Sequence, residues 1–240
     1  MKIIEQSHEI LSHTGIDMVE RAGRNCYQSE PKGCGLKGPV NTCLKYTDKL
    51  ADPKCDEKDC RHHTSHKFVK MLRDKGHHAM LEFGEVTVKF ITDRGVMAEL
   101  TRHRMGVSFA IESTRYVKYD GEMEFIKPVW CSNHVPILIN GGGDIQLLKF
   151  DEQLWTSSMA KAENTYKALL NCGWKAQQAR SVLPNSLKTE IICKANFREW
   201  LHILKLRCST KSHPQMASLM RPLLVELQEK LPVVFDDLVF

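Results

Sequence analysis

Residues 101–119, TRHRMGVSFAIESTRYVKY, restrict what this 240-residue chain can fold into more than any other stretch. They include Arg102, His103, Arg104 and Arg115, and because each buried charge needs a partner, the segment is disfavoured in a core. Its charges also alternate too irregularly for the solvated face of a helix. The pattern raises the question of which ligand these side chains face.

Apolar residues on either side of this stretch follow two different periods. Val86, Val88 and Phe90 alternate with their neighbours, which predicts a strand over 84–93, and a second strand is predicted over 187–195. Helices are predicted over 66–77, 95–104, 155–173, 175–183, 196–207 and from Pro214 onward. The expected fold class is α+β, with an antiparallel sheet flanked by long helices.

The segment 135–150 contains strand-like VPILI and IQLLKF around NGGGD. The glycine-rich centre predicts a hairpin turn between two short strands. Its glycines do not have the spacing of a dinucleotide-binding fingerprint, so a parallel Rossmann sheet is not expected.

Sequence signals also mark individual helix positions. Gly76 is expected to cap the end of the 66–77 helix, and Asn196, with Glu199 three residues later, is expected to open the 196–207 helix. Glu99 and Arg102, three positions apart in the predicted 95–104 helix, would share a face.

Composition bounds the class of protein. The chain is 42% hydrophobic and 26% charged, which is typical of globular proteins. We find no apolar run near the roughly 18 residues that a membrane span needs and no signal-peptide pattern at the start, so a cytoplasmic location is predicted. Nine cysteines, an odd number, favour reduced thiols over a disulfide framework. The net charge of +5 favours anionic partners without requiring nucleic acid.

A cysteine-rich segment, 31–64, is rich in Gly, Pro, Lys and Asp and poor in large apolar residues. We expect it to be a surface insertion in a single domain that spans 1–240. Two interpretations of its cysteines stay open: a zinc site, or a loop that carries free thiols. The candidate zinc ligands are Cys34, Cys43, Cys55, Cys60, His62, His63 and His66.

Several arginines indicate an anion site. Arginine stays charged and offers a planar set of donors that matches phosphate, and Ser113 and Thr114 add further donors beside Arg115. Arg180 and Arg207 also lie near predicted helix ends or polar clusters. The alternative is a solvated basic surface, and the residues alone do not identify the anion. His103, which lies between two arginines, is expected to be neutral because like charges disfavour its protonated form.

A resemblance narrows the choice. RHRMGVSFAIESTRY resembles the signature of the flavin-dependent thymidylate synthases, in which Arg-His-Arg is followed after a short spacer by Ser-x-Arg-Tyr. KGHHAMLEF, ARSVLPNSLKTE and NFREWLHILKLR agree with the same family in order and spacing. The resemblance implies reductive methylation of dUMP to dTMP, with FAD as cofactor and methylene-tetrahydrofolate and NADPH as co-substrates. It also implies a homotetramer whose active sites are shared between subunits.

The same resemblance implies roles for individual residues. Those implied to contact FAD are His77, Arg102, His103, Arg104, Asn196, Arg198 and His202. Those implied to bind dUMP are Glu99, Arg102, Glu112, Ser113, Thr114, Arg115, Arg180 and Arg207. Ile111 is the alternative to Glu112, which we prefer because of its charge. Arg207 is implied to polarise the uracil ring and is the predicted catalytic residue, and no metal ligand is predicted in the site.

A zinc-bearing nucleic-acid-binding module is the alternative function, suggested by the net positive charge and by the cysteines and histidines of 31–64. The arginines lie far apart along the chain, which suits a pocket better than a continuous nucleic-acid-binding stripe. The enzyme is therefore the leading hypothesis, with no nucleic acid and no membrane among its expected partners.

Overall fold

The computed structural model describes residues 1–29, 61–131, 135–139, 143–147 and 150–240. Its strands are β1 (Lys2–Ile4), β2 (Ser7–His13), β3 (Glu85–Asp93), β4 (Val107–Ile111), β5 (Glu124–Ile126), β6 (Val135–Ile139), β7 (Gly143–Leu147) and β8 (Lys188–Asn196). Its helices are α1 (Asp17–Tyr27), α2 (Arg61–Asp74), α3 (Arg94–Leu100), α4 (Phe150–Asn171), α5 (Ala176–Ala179), α6 (Phe197–Arg207), α7 (Pro214–Lys230) and α8 (Pro232–Phe235). Two 3-10 turns lie at His78–Phe83 and Arg180–Val182.

A four-stranded antiparallel sheet, in the order β2-β3-β8-β4, organises the molecule. Strands β3 and β8 pair along their whole length, from Glu85 opposite Asn196 to Asp93 opposite Lys188. The sequence prediction that these two segments share one antiparallel sheet is therefore confirmed, as is the mixture of helices and sheet. Strands β1 and β5 form a small parallel pair.

One face of the sheet forms the main core. Val88 and Phe90 of β3 and Ile191 of β8 are fully buried there, together with Trp200 of α6, whose indole N–H donates to a backbone carbonyl of β3 at 3.0 Å. Full burial of a Val, Ile or Phe side chain stabilises the fold by about 1.5–3 kcal/mol. The core stripe of α7, with Leu223 among its fully buried residues, completes this layer. The core thus fixes α6 against the sheet.

The two predicted helix caps are confirmed. Gly76 adopts φ +73°, and the N–H groups of Gly76 and His77 donate to the carbonyls of Arg73 and Leu72, both at 2.8 Å. This pair of hydrogen bonds forms a Schellman motif, which favours glycine because a left-handed φ is costly for other residues. Asn196 accepts a hydrogen bond from the backbone N–H at the start of α6 at 2.8 Å.

Helix α3 differs from its prediction of 95–104. It begins one residue earlier, because the Asp93 carboxylate accepts a backbone N–H bond at 2.7 Å and caps it. It ends at Leu100, because the chain has to reverse direction before it enters β4. Arg102 therefore lies in a turn, and it does not share a helical face with Glu99 as the sequence prediction held.

The predicted 175–183 helix is also shorter than expected. Only α5 is α-helical, and a 3-10 turn follows it. Leu183 is extended, with ψ 130°, because the proline at position 184 disfavours helical backbone in the residue before it.

Two further predictions concern segments that lie partly outside the described residues. β6 and β7 pair antiparallel, which confirms the two strands of the predicted hairpin, although β7 spans Gly143–Leu147 rather than 145–150 and residues 140–142 of the turn lie outside the described residues. Most of the predicted insertion, 31–60, also lies outside them, and its last residues, 61–64, begin α2; the insertion stays a prediction. None of the helices in the described ranges is long and apolar enough to cross a membrane.

Candidate functional site

The turn between α3 and β4 carries the Arg-His-Arg sequence. Backbone N–H groups of Arg102 and His103 donate to the carbonyls of Glu99 at 3.3 Å and Leu100 at 3.1 Å, which continues the end of the helix into the turn. The turn separates the side chains: His103 is only 7% exposed, whereas Arg102 and Arg104 are exposed. The motif therefore buries the imidazole of His103 and leaves the two arginine side chains exposed.

Arg207, the last residue of α6, points its guanidinium at this turn. Its Nε–H donates to His103 Nε2 at 3.0 Å, its Nη1 donates to Glu99 Oε2 at 3.1 Å, and its Nη2 donates to the Glu99 carbonyl at 2.9 Å. Three of the five N–H groups are thus used, and one N–H on each Nη stays available for a ligand. We call Glu99, His103, Glu199 and Arg207 the Arg207 cluster.

His103 is neutral at physiological pH. Burial first, and then the charges of Arg207 and His202, together lower its pKa from 6.5 to about 4. The predicted neutrality is confirmed, but the predicted cause was wrong. Arg102 and Arg104, the sequence neighbours, point outward, and burial rather than their charge is the main cause.

Glu199 and His202, one turn apart on α6, complete the surroundings of His103. Glu199 Oε1 lies 3.4 Å from His103 Nδ1, and the His103 and His202 rings contact edge to face at 5.8 Å between centroids. Burial raises the pKa of the Glu199 carboxyl, while His202 and Arg198 act to lower it.

These three side chains have the composition of a metal site. Possible ligand atoms of His103, Glu199 and His202 lie within 4.8 Å of one another. However, a neutral imidazole has one lone pair to offer, and Arg207 already uses that of His103 at Nε2. Coordination through Nδ1 would require loss of a second proton or of the Arg207 bond. The chemistry therefore favours a hydrogen-bonded chain over a metal centre.

A second group of predicted residues follows β4 and has a different character. Arg115 N–H donates to Ser113 Oγ at 3.3 Å, and Arg180 Nη1 donates to the buried Thr114 Oγ1 at 3.3 Å. Arg115 itself is exposed, with its guanidinium carbon 5.5 Å from the centre of the Tyr116 ring. We call Ser113, Thr114, Arg115 and Arg180 the Ser113 cluster.

Within the described ranges, neither arginine of the Ser113 cluster forms an ion pair, and no hydrogen bond or ion pair joins this cluster to the Arg207 cluster. Two cations with hydroxyl groups beside them and no carboxylate partner are suited to an anion such as phosphate.

Glu112 lies between β4 and the Ser113 cluster and is already bonded within the protein. Its Oε1 accepts a hydrogen bond from Tyr119 Oη at 2.5 Å, and its Oε2 lies 3.5 Å from Lys188 Nζ. Burial, followed by the bond to Glu112, raises the pKa of the Tyr119 hydroxyl. Ile111, the alternative, is the last residue of β4.

Asn196 lies beside the turn that carries the Arg-His-Arg sequence, and Arg198 follows it two residues later in α6. Gly106 in that turn adopts φ +67°, and a Cβ there would come within 3.1 Å of Asn196 Nδ2, so glycine allows the turn to approach the amide closely. Arg198 is more than half exposed and donates to Glu82 Oε1 at 2.6 Å.

His77 follows the Gly76 cap and is oriented from helix α1. Its Nδ1 lies 2.8 Å from Tyr27 Oη, and the two rings stack with centroids 6.0 Å apart. The phenol can donate to Nδ1 and leave Nε2–H pointing outward.

Large apolar side chains are exposed next to these groups. Met105 and Tyr116 are each 80% exposed, and Phe83 is 54% exposed. Each adjoins a predicted ligand-binding residue or segment in the sequence. Apolar surface of this kind marks a ligand or protein interface when it is clustered.

Sequence reasoning missed four residues that hold the site together: Tyr27, Glu82, Tyr119 and Glu199. Glu199 lies three residues from both Asn196 and His202, a helical spacing that could have identified it, but its spacing was interpreted only as a capping signal. Tyr27 and Glu82 reach their partners through tertiary contacts that no local pattern reports.

The sheet and the two arginine-bearing clusters define an α+β protein with a candidate anion-binding site. The chain matches the model of the family described as thymidylate synthase complementing protein over residues 9–233, and it belongs to that family. A flavin-dependent thymidylate synthase of Corynebacterium efficiens is 28% identical over 236 residues, covering 94% of this chain and 80% of that protein. One from Geobacter sulfurreducens is 29% identical over 172 residues, covering 71% of this chain and 68% of that protein.

A solved structure shares the fold. The UMP/dUMP methylase PolB of Streptomyces cacaoi, crystallised with 5-Br UMP, aligns with a TM-score of 0.70 over 98% of this chain and 95% of its own, at 18% identity. The family predicted from the sequence is confirmed by the family-model match over residues 9–233. The alternative of a nucleic-acid-binding module loses its basis, because the family match extends over nearly the whole chain.

Proposed function

We propose that this chain is a flavin-dependent thymidylate synthase, a methyltransferase that converts dUMP to dTMP with FAD, NADPH and methylene-tetrahydrofolate. Membership of the thymidylate synthase complementing protein family supports the reaction. The observation that carries the proposal is the Arg207 guanidinium, which is held by three hydrogen bonds and keeps two N–H groups for a ligand. The predicted cytoplasmic location remains a prediction from the sequence.

Arg207 is the catalytic residue of this proposal. A uracil carbon that attacks a methylene group must become nucleophilic, and negative charge then develops on the ring. A fixed guanidinium beside the ring stabilises that charge without having to reorganise. The protein needs no covalent nucleophile, and Ser113, next to Arg115, is assigned to phosphate binding.

The residues assigned to FAD fit it in chemical terms. Arg102 and Arg104 are exposed cations whose side chains make no hydrogen bond or ion pair within the described residues, which suits a diphosphate. Bound and reduced FAD supplies the hydride of the reaction. The full set assigned to flavin is His77, Arg102, His103, Arg104, Asn196, Arg198 and His202.

The Ser113 cluster is assigned to the dUMP phosphate, since Arg115 and Arg180 lack a carboxylate partner among the described residues. Glu99 and Glu112 already accept hydrogen bonds from Arg207 and Tyr119, so in this proposal they orient other groups while they border the nucleotide. The full set assigned to dUMP is Glu99, Arg102, Glu112, Ser113, Thr114, Arg115, Arg180 and Arg207.

A homotetramer with shared active sites is part of the proposal. The two clusters are not bonded to each other in the described part of one chain, so a second chain could bring complementary parts together. The exposed Met105 and Tyr116 side chains offer apolar surface for such an interface.

The test combines a spectrum with an assay. Purified protein should show flavin absorbance, and it should form dTMP from dUMP only when methylene-tetrahydrofolate and NADPH are both present. Colourless protein that neither takes up added FAD nor forms dTMP would refute the proposal. Sedimentation of the same sample tests the tetramer separately.

A further inference from the structure

We propose that Glu199 is a positioning residue for Arg207: it fixes the tautomer and ring orientation of His103, which in turn holds the guanidinium in its catalytic orientation. The inference rests on the proposed function for its kinetic consequence. Its structural part, the tautomer of His103, can be measured independently of any turnover.

The bond between Arg207 and His103 determines which ring nitrogen carries the proton. Arginine only donates, so His103 Nε2, 3.0 Å from Arg207 Nε, must be the acceptor. A neutral imidazole carries a single N–H, which must then be on Nδ1. The orientation of Arg207 therefore depends on keeping Nδ1 of His103 protonated.

Glu199 places a carboxylate oxygen close to this nitrogen. Its Oε1 lies 3.4 Å from His103 Nδ1, and the two side chains are only 15% and 5% exposed. The Asn196 cap fixes the backbone of Glu199 at the start of α6, with its N–H donating at 2.8 Å. A carboxyl group keeps an acceptor oxygen whether or not it is ionised, so its role does not depend on its protonation state.

Removal of the Glu199 acceptor would allow the proton of His103 to leave Nδ1. His103 could then carry its proton on Nε2, where it would face the Arg207 Nε–H as a second donor. Two donors repel, and the guanidinium would have to move away from His103. A displacement of about 1 Å at a reacting group can cost on the order of 100-fold in rate.

The experiment compares Glu199→Ala, Glu199→Gln and the control Glu226→Ala. Glu226 also pairs with a histidine, His8, at 3.0 Å, but outside the site. Solid-state 15N NMR of the FAD-loaded, histidine-labelled protein reports the tautomer, with the His103 signal assigned by its loss in His103→Gln. Steady-state dTMP formation and stopped-flow flavin reduction by NADPH are measured on the same variants.

We expect the Nδ1–H tautomer in the unmodified protein, in Glu199→Gln and in the control. Glu199→Ala should show a mixture or the Nε2–H tautomer, and its kcat for dTMP should fall about tenfold or more, with little change in the KM for dUMP or in flavin reduction. Glutamine should restore most of the rate, because its carbonyl oxygen can accept a hydrogen bond from Nδ1–H as a carboxylate oxygen can.

Several results would overturn the inference. One is an Nε2–H or doubly protonated His103 in the unmodified protein at neutral pH, which needs no variant to fold. Another is a Glu199→Ala protein with unchanged tautomer and rate, and a third is a Glu199→Gln protein that loses as much rate as alanine. If no variant, including the unmodified protein, forms dTMP, the proposed function fails, and the NMR result still decides the tautomer.

Discussion

The Arg207 cluster and the Ser113 cluster each contain arginines, yet the protein treats those arginines differently. The Arg207 side chain is only 18% exposed and donates three hydrogen bonds within the protein. Arg115 and Arg180, in contrast, are exposed and have no ion pair among the described residues. The first guanidinium is oriented before a ligand arrives. The Arg115 and Arg180 guanidinium groups are exposed to solvent and stay accessible to an anionic ligand.

This difference separates two tasks of one kind of side chain. Stabilising charge that develops during a reaction requires a donor that does not have to reorganise. Holding a phosphate that is charged from the start requires cations that are accessible and not already neutralised. Four measurements can break or sharpen this comparison: two on catalysis and binding, then two on folding, each pair in order of decreasing expected effect.

Arg207→Ala should have the largest effect. Loss of one preorganised donor at a developing charge typically costs about 100-fold or more, so dTMP formation should fall by at least that factor. FAD content and flavin reduction by NADPH should stay close to normal. Arg207→Lys should restore little, because a point charge cannot replace the planar donor set that contacts both His103 and Glu99. A near-normal rate of dTMP formation in Arg207→Ala would refute the catalytic role given to Arg207.

Arg115→Ala and Arg180→Ala should each weaken dUMP binding by about 2 kcal/mol, which is roughly 30-fold. Stability should hardly change, because these exposed arginines support little of the fold. Equilibrium dUMP titration checks the first expectation and thermal unfolding the second, with the exposed Lys118→Ala as a control in the same segment. A variant that binds dUMP normally but loses FAD would show that the substituted arginine binds the flavin and not the nucleotide.

His103 should make stability depend on pH. Its pKa is about 4 in the folded protein and near 6.5 when unfolded, so the unfolded chain takes up the proton first as the pH falls. Stability should therefore be lost between pH 6.5 and 4, at up to about 1.4 kcal/mol per pH unit, and the loss should level off below 4. Denaturant unfolding should show a shallower loss in His103→Gln and an unchanged one in His13→Gln, an exposed histidine of β2. Equal slopes in all three proteins would contradict a buried neutral His103.

Arg198 and Glu82 give the smallest effect on folding. Their side chains are 55% and 46% exposed, and an ion pair this exposed contributes about 0–1 kcal/mol. Arg198→Ala and Glu82→Ala should therefore unfold at nearly the same denaturant concentration as the unmodified protein. Only Arg198→Ala should lower FAD affinity. If both variants lose FAD equally, the ion pair rather than the arginine holds the flavin region.

Local signals predicted the framework well, for physical reasons. The alternation of β3 and β8 reflects one buried face of the sheet, and the Gly76 and Asn196 caps satisfy backbone groups within a few residues. The end of α3 was predicted wrongly, because the turn into β4 is imposed by pairing with β8 rather than by helix propensity. The roles of the site residues came from the family resemblance and stay predictions until they are measured.

The sequence by itself determined the strands and helices, the family, and the arginines and histidine that an anionic nucleotide and a flavin would need. Only the tertiary structure decided which arginine is oriented by the protein and which are left open. That distinction depends on contacts between α6 and the turn after α3, where Arg207 meets His103 across 104 positions of chain. Burial and hydrogen bonding set the charge state and direction of a side chain, and both arise only when distant segments pack together.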